Sequence, residues 1–126
     1  MIALLSGILA VCFASALRGN TCQTATAMVL LVNWCLNTAF CALVDVPDPW
    51  IWFLCADYLS GFVIYGLGQR TVMLTYALQC MIHVAYGIVG PVAQTPYWDA
   101  LYLVAWVQVA LIGVWMLWHP GMARHP

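Results

Sequence analysis

Lysine and glutamate are absent from this 126-residue chain, and its charge is confined to Arg18, Arg70, Arg124, Asp45, Asp48, Asp57 and Asp99. Without lysine no Schiff base to retinal or pyridoxal phosphate can form. Three arginines make no basic surface for nucleic acid. No serine, histidine and carboxylate set, phosphate-binding glycine loop or H-E-x-x-H stretch occurs, so the chain reads as a non-enzyme. C-x-x-C pairs are missing too. Of the six cysteines, Cys12, Cys35, Cys41, Cys55 and Cys80 lie in apolar stretches, where a thiol packs as a small apolar side chain, and no zinc-type spacing appears. A haem would need a second axial histidine at the depth of His83, but His119 falls at the membrane boundary; copper on His83 with Cys80 or Met81 lacks a full ligand set. The sequence therefore predicts no cofactor and no metal.

What is present is hydrocarbon. With 66% hydrophobic and 6% charged residues and a mean hydropathy of +0.97, the composition is that of an integral membrane protein, all-α and polytopic. Five apolar stretches predict transmembrane helices over residues 1–17, 24–44, 50–67, 71–90 and 97–118, all in one transmembrane domain covering 1–126. Ala14-Ser15-Ala16 resembles a signal-peptidase site, but no positively charged segment precedes it, and the first stretch is read as a helix. Arg18 to Gln23 is a polar connection. Asp45-Val46-Pro47-Asp48-Pro49 breaks the chain between the second and third spans, and Pro91 to Pro96 forms a loop before the fifth. Gly68-Gln69-Arg70 is so short that the third and fourth spans must be antiparallel neighbours.

Positive residues gather on the cytoplasmic side of short loops. Five spans place Arg18, Arg70 and Arg124 on one side and Asp45, Asp48 and Asp99 on the other, which sets the N-terminus outside and the C-terminus in the cytoplasm. The expected location is a bacterial inner membrane.

Counting along each span at about 1.5 Å per residue puts Asn33, Asp57, Gln79, His83 and Gln108 roughly 12 to 18 Å from the cytoplasmic boundary, and Asn37 roughly 20 Å. Spacing within the helices points the same way. Asn33 and Asn37 are one turn apart, Gln79, His83 and Tyr86 share a face, Asp57 shares one with Gly61 and Gly68, and Gln108 with Trp115 and His119. An ionised aspartate at the centre of an isolated helix costs on the order of 3 kcal/mol on insertion scales, so Asp57 should face the bundle interior, with His83 as its partner.

Two readings follow. In one, Asp57 and His83 form a proton or cation relay, or line a water-filled path, with Asn33, Asn37, Gln79 and Gln108 around them. In the other, the same groups join helices, each hydrogen bond contributing roughly 0.6 to 2 kcal/mol. They differ in whether water reaches the layer. Trp50, Trp52, Tyr97, Trp98, Trp115 and Trp118 lie near span ends and read as interface anchors. Trp34 lies deep and packs within the bundle or stacks on a substrate.

Asn33-Trp34 with Asn37, Asp57 after Trp50 and Trp52, and Gln79 with His83 and Tyr86 together resemble small uncharacterised multi-span membrane proteins encoded by bacteriophages and prophages of high-GC bacteria. The resemblance implies a setting for a holin-like pore. Holins usually carry fewer spans and a more charged cytoplasmic tail, whereas this tail holds only Arg124 and His125. The expected function is an oligomeric channel, pore or permeability factor, with the lipid bilayer and further copies as partners and Ala3, Gly7, Ala10 and Ala14 as a small-residue contact face. A non-catalytic accessory or assembly subunit of a larger membrane complex is the alternative.

Overall fold

Why five apolar runs settle into one bundle follows from their connections. In the computed structural model residues 2–18, 21–45 and 48–118 are described; His119, Arg124 and His125 lie outside them, as do the side chains of Arg18 and Trp118. The helices are α1 (Ile2–Arg18), α2 (Thr21–Leu43), α3 (Trp50–Gly66), α4 (Arg70–Val89) and α5 (Gln94–Trp118), with one 3-10 turn at Pro91–Ala93. Among the described residues the fold is all-helical, with no strand. Three segments, Thr21–Leu43, Arg70–Val89 and Pro91–Met116, are long and apolar enough to cross a membrane, while α1 and α3 are shorter apolar helices.

Each helix packs on the next in the chain, and α5 closes the ring on α1, with a thinner contact to α2. The α3–α4 hairpin is as tight as its three-residue link requires. Gly68 sits at φ 75°, a left-handed conformation that suits glycine, and therefore turns the chain rather than extending the α3 face to which the sequence assigned it. Gly61 stays on that face, where a Cβ would come 3.1 Å from the Cβ of Tyr76. This is the close backbone approach that glycine permits.

Two helix starts lie earlier than the sequence suggests. Pro96 falls within the first turn of α5 instead of in a loop, where amide hydrogens have no intrahelical acceptor and proline loses nothing. Gln23, read as part of a polar connection, lies in the first turn of α2 and is buried. Gly7 of α1 packs against Trp106 of α5, 3.2 Å from a built Cβ to the ring, so this member of the small-residue face is engaged inside the chain; Ala3 and Ala10 are exposed.

The chain reversals give the bundle two distinct ends. Arg18 and Arg70 mark one, Asp45, Asp48 and Asp99 the other. Toward the arginine end the interior is largely apolar, built from Ala27, Leu30, Ile64, Val72, Tyr76, Val109 and Ile112. Thr26 and Thr75 are buried there too, their hydroxyls donating back to Cys22 and Val72 carbonyls of their own helix at 2.8 and 2.6 Å. Helix length shapes the other end. With 17 residues α1 is about 25 Å long, whereas α2 with 23 and α5 with 25 reach about 35 Å or more. Toward the aspartate end α2 and α5 thus run on without α1 between them.

Candidate functional site

Asp57 lies near the middle of α3 and His83 in α4, and the hairpin brings them face to face. His83 Nε2 is 3.0 Å from Asp57 Oδ2, with the two side chains 1% and 3% exposed. The remaining atoms of the pair are also engaged. Asn33 of α2 donates one amide hydrogen to Asp57 Oδ1 at 3.0 Å and the other to Ser60 Oγ at 2.9 Å. Asn37, one turn further along α2, donates to Asn33 Oδ1 at 3.2 Å. On the opposite side of the imidazole, His83 Nδ1 is 2.8 Å from the hydroxyl of Tyr97 in α5. The result is one hydrogen-bonded run, Asn37–Asn33–Asp57–His83–Tyr97, crossing four helices.

Its polarity follows from the carboxylate. An ionised Asp57 only accepts, so Asn33 must turn its amide hydrogens toward it and its oxygen away. Asn37 then turns its own hydrogens to Asn33 and leaves its oxygen on the far side. Asn37 Oδ1 is buried and has no hydrogen-bond partner. At the other end, a neutral His83 that donates from Nε2 to Asp57 has Nδ1 free to accept from Tyr97.

Gln79 and Gln108 belong to the same level but form their own pair, Gln108 Nε2 donating to Gln79 Oε1 at 2.7 Å across the α4–α5 interface. All six residues of the expected polar layer therefore face the bundle interior, four in the run and two beside it.

Tyr97 differs from its sequence reading. It was expected as an interface anchor, yet it is 5% exposed, bonded to His83, and stacked on Tyr86 with ring centroids 4.1 Å apart. The signal lay in spacing: Tyr97 and Gln108 are eleven residues apart, close to three whole turns, and so share the inward face of α5. Ser60, one turn after Asp57, also joins the site without having been singled out. Among the other anchors, Trp52 is exposed and stacks on Phe40 at 4.4 Å, Trp98 is exposed and edge-on to Phe53, and Trp50 and Trp115 are half-buried.

A cavity of about 430 Å³ opens beside the run, lined by Asn33, Trp34, Asn37, Asp57 and His83 and, nearer the aspartate end, by Thr38, Cys41, Phe53, Trp98, Asp99 and Tyr102. Its lining comes from α2, α3, α4 and α5, and no α1 residue is among it. Asp57 also borders a smaller hollow of about 220 Å³ between α3 and α4, with Tyr76 on its wall. Among the described residues no three or more His, Cys, Asp and Glu side chains gather around a common point. No protein-family model matches the chain, and neither does any curated protein or solved structure.

Proposed function

We propose that this chain is a five-span protein of a bacterial inner membrane, N-terminus outside and C-terminus in the cytoplasm, that lets protons or small cations pass by way of Asp57 and His83. The observation that carries the reading is the Asp57–His83–Tyr97 run, two of whose members, Asp57 and His83, line a cavity of about 430 Å³. A buried carboxylate and imidazole in contact can exchange a proton, and the cavity offers water a way to them. In this reading the two 17-residue helices cross the bilayer with local thinning of a few ångströms. The apolar core toward the arginine end closes a single chain. Conduction thus requires that half to open, or further copies to complete a path, which is the behaviour of a gated or oligomeric permeability factor. The holin-like setting implied by the sequence resemblance fits this scheme.

A second reading is favoured by the completeness of the run: both Asp57 oxygens and both His83 nitrogens have partners, as in a network that joins helices. With short connections between helices, an accessory subunit of this kind would meet its partners through its lipid-facing sides.

Dissipation of a pH gradient in proteoliposomes separates the two. Wild-type protein should leak protons above empty liposomes, and Asp57→Asn or His83→Ala, at matched insertion and retained helicity, should return the rate to background. A wild-type rate equal to that of empty liposomes sinks the permeation reading and leaves the accessory role.

A further inference from the structure

We infer that the cavity between α2 and α5 is a binding site for a protonated organic amine with a hydrocarbon or aromatic body. Its wall and its polarity both select for this class. Trp34, Phe53, Trp98 and Tyr102 give it aromatic surfaces, which receive hydrocarbon and attract cations over their faces. Two acidic side chains, Asp57 and Asp99, line it, the imidazole of His83 is already bonded to Asp57, and no arginine is among the lining residues, so the lining favours a cation over an anion. The volume, about 430 Å³, lies in the range of small-molecule sites.

The run of hydrogen bonds supplies the specific contact. Because Asp57 must accept, the orientation of Asn33 and then of Asn37 is fixed, and the acceptor character of the buried carboxylate is passed along two amides to Asn37 Oδ1. That oxygen is buried, without a hydrogen-bond partner, on a residue that lines the cavity. It can accept a hydrogen bond, which a protonated amine can donate and a quaternary ammonium cannot; the positive charge is what the acidic lining adds to that donor. Asp99, an exposed residue of the lining, adds attraction for the positive charge as the ligand enters.

The inference does not depend on proton passage, and its test is done without a gradient. Quenching of tryptophan fluorescence in detergent-solubilised protein is followed during titration with 2-phenylethylammonium, with 2-phenylethanol and 3-phenylpropionate as neutral and anionic counterparts. Saturable binding of the ammonium compound, at least tenfold tighter than either counterpart, is expected. Asn37→Leu and Asp99→Asn should each weaken it at least fivefold; Asp99 is exposed, so its variant keeps the fold. No saturable binding to wild type, equal affinity for the alcohol or the carboxylate, or wild-type affinity in both variants overturns the inference. Binding without a proton leak would leave the amine site standing and sink the permeation reading; a leak abolished by Asp57→Asn without binding would do the reverse.

Discussion

Tyr97 holds the imidazole of His83 from the side opposite Asp57, its hydroxyl 2.8 Å from Nδ1 while the carboxylate lies 3.0 Å from Nε2. The two contacts fix the ring and, for the neutral histidine, select the Nε2–H tautomer. Tyr97→Phe keeps the stack on Tyr86 and removes only the hydroxyl. It should cost about 1–3 kcal/mol, the penalty of a buried acceptor without a donor, and the nitrogen-15 resonance of His83 Nδ1 should shift as it loses its hydrogen bond, while the Nε2–H tautomer held by Asp57 is kept. A cost near zero with an unchanged spectrum would show that the hydroxyl does not hold the ring.

Gln79 and Gln108 are joined amide to amide, at 2.7 Å. Replacing either with leucine strands the other, and each single change should destabilise by roughly 1–2 kcal/mol, whereas the double leucine variant should fall closer to wild type than the sum of the two. Unfolding in mixed micelles measures the cycle. Strict additivity would mean that the pair does not interact.

The hydroxyl of Tyr76 is buried with no hydrogen-bond partner, although the residue is 1% exposed. Tyr76→Phe should therefore be neutral or stabilising by up to about 1 kcal/mol, since it removes a desolvated polar group without breaking a bond. A loss of more than about 1 kcal/mol would assign that hydroxyl a role in the hollow it shares with Asp57.

Gly87 lies under the indole of Trp50, and a Cβ there would meet ring atoms at 2.7 to 3.0 Å. Gly87→Ala should displace the ring and cost about 1–3 kcal/mol, and the cost should vanish in a Trp50→Ala background. Gly66→Ala, where a Cβ meets nothing within 4 Å, should instead gain about 0.5 kcal/mol from reduced freedom of the unfolded chain. Equal effects at the two glycines would contradict the packing of Trp50 on α4.

That the polar-layer residues share one level of the bundle was legible in the sequence because the helical rise is constant. Counting from the arginine side brought Asn33, Asp57, Gln79, His83 and Gln108 to one level, and the structure turns each of them to the interior. The Asp57–His83 contact could be suggested because few groups in an apolar chain can partner a buried carboxylate. What could not be read is which amphipathic side chain leaves the membrane interface. Tyr97 and Trp98 are adjacent aromatics at one helix end and look alike in sequence, but the helical turn sends one inward to His83 and leaves the other exposed. The cavity was hidden for a different reason. Its lining is brought together from α2, α3, α4 and α5, a result of how helices pack and not of any motif. Helix starts were misjudged at Gln23 and Pro96 because polar residues and proline are tolerated in a first turn, where they resemble a loop.

Whether water reaches the polar layer, and from which end, decides between a permeation site and a set of bonds that merely join helices. The most direct measurement is the reaction of a single cysteine at Asn37→Cys, in a background freed of the six native cysteines, with a membrane-impermeant methanethiosulfonate applied to either face of the membrane. An exposed control at Asp99→Cys reports the aspartate side. Labelling at position 37 from that side only, slower than the control, is the predicted result. No labelling from either side while the control reacts, or equal labelling from both, would contradict a cavity open to the aspartate end and closed by the apolar core beyond it.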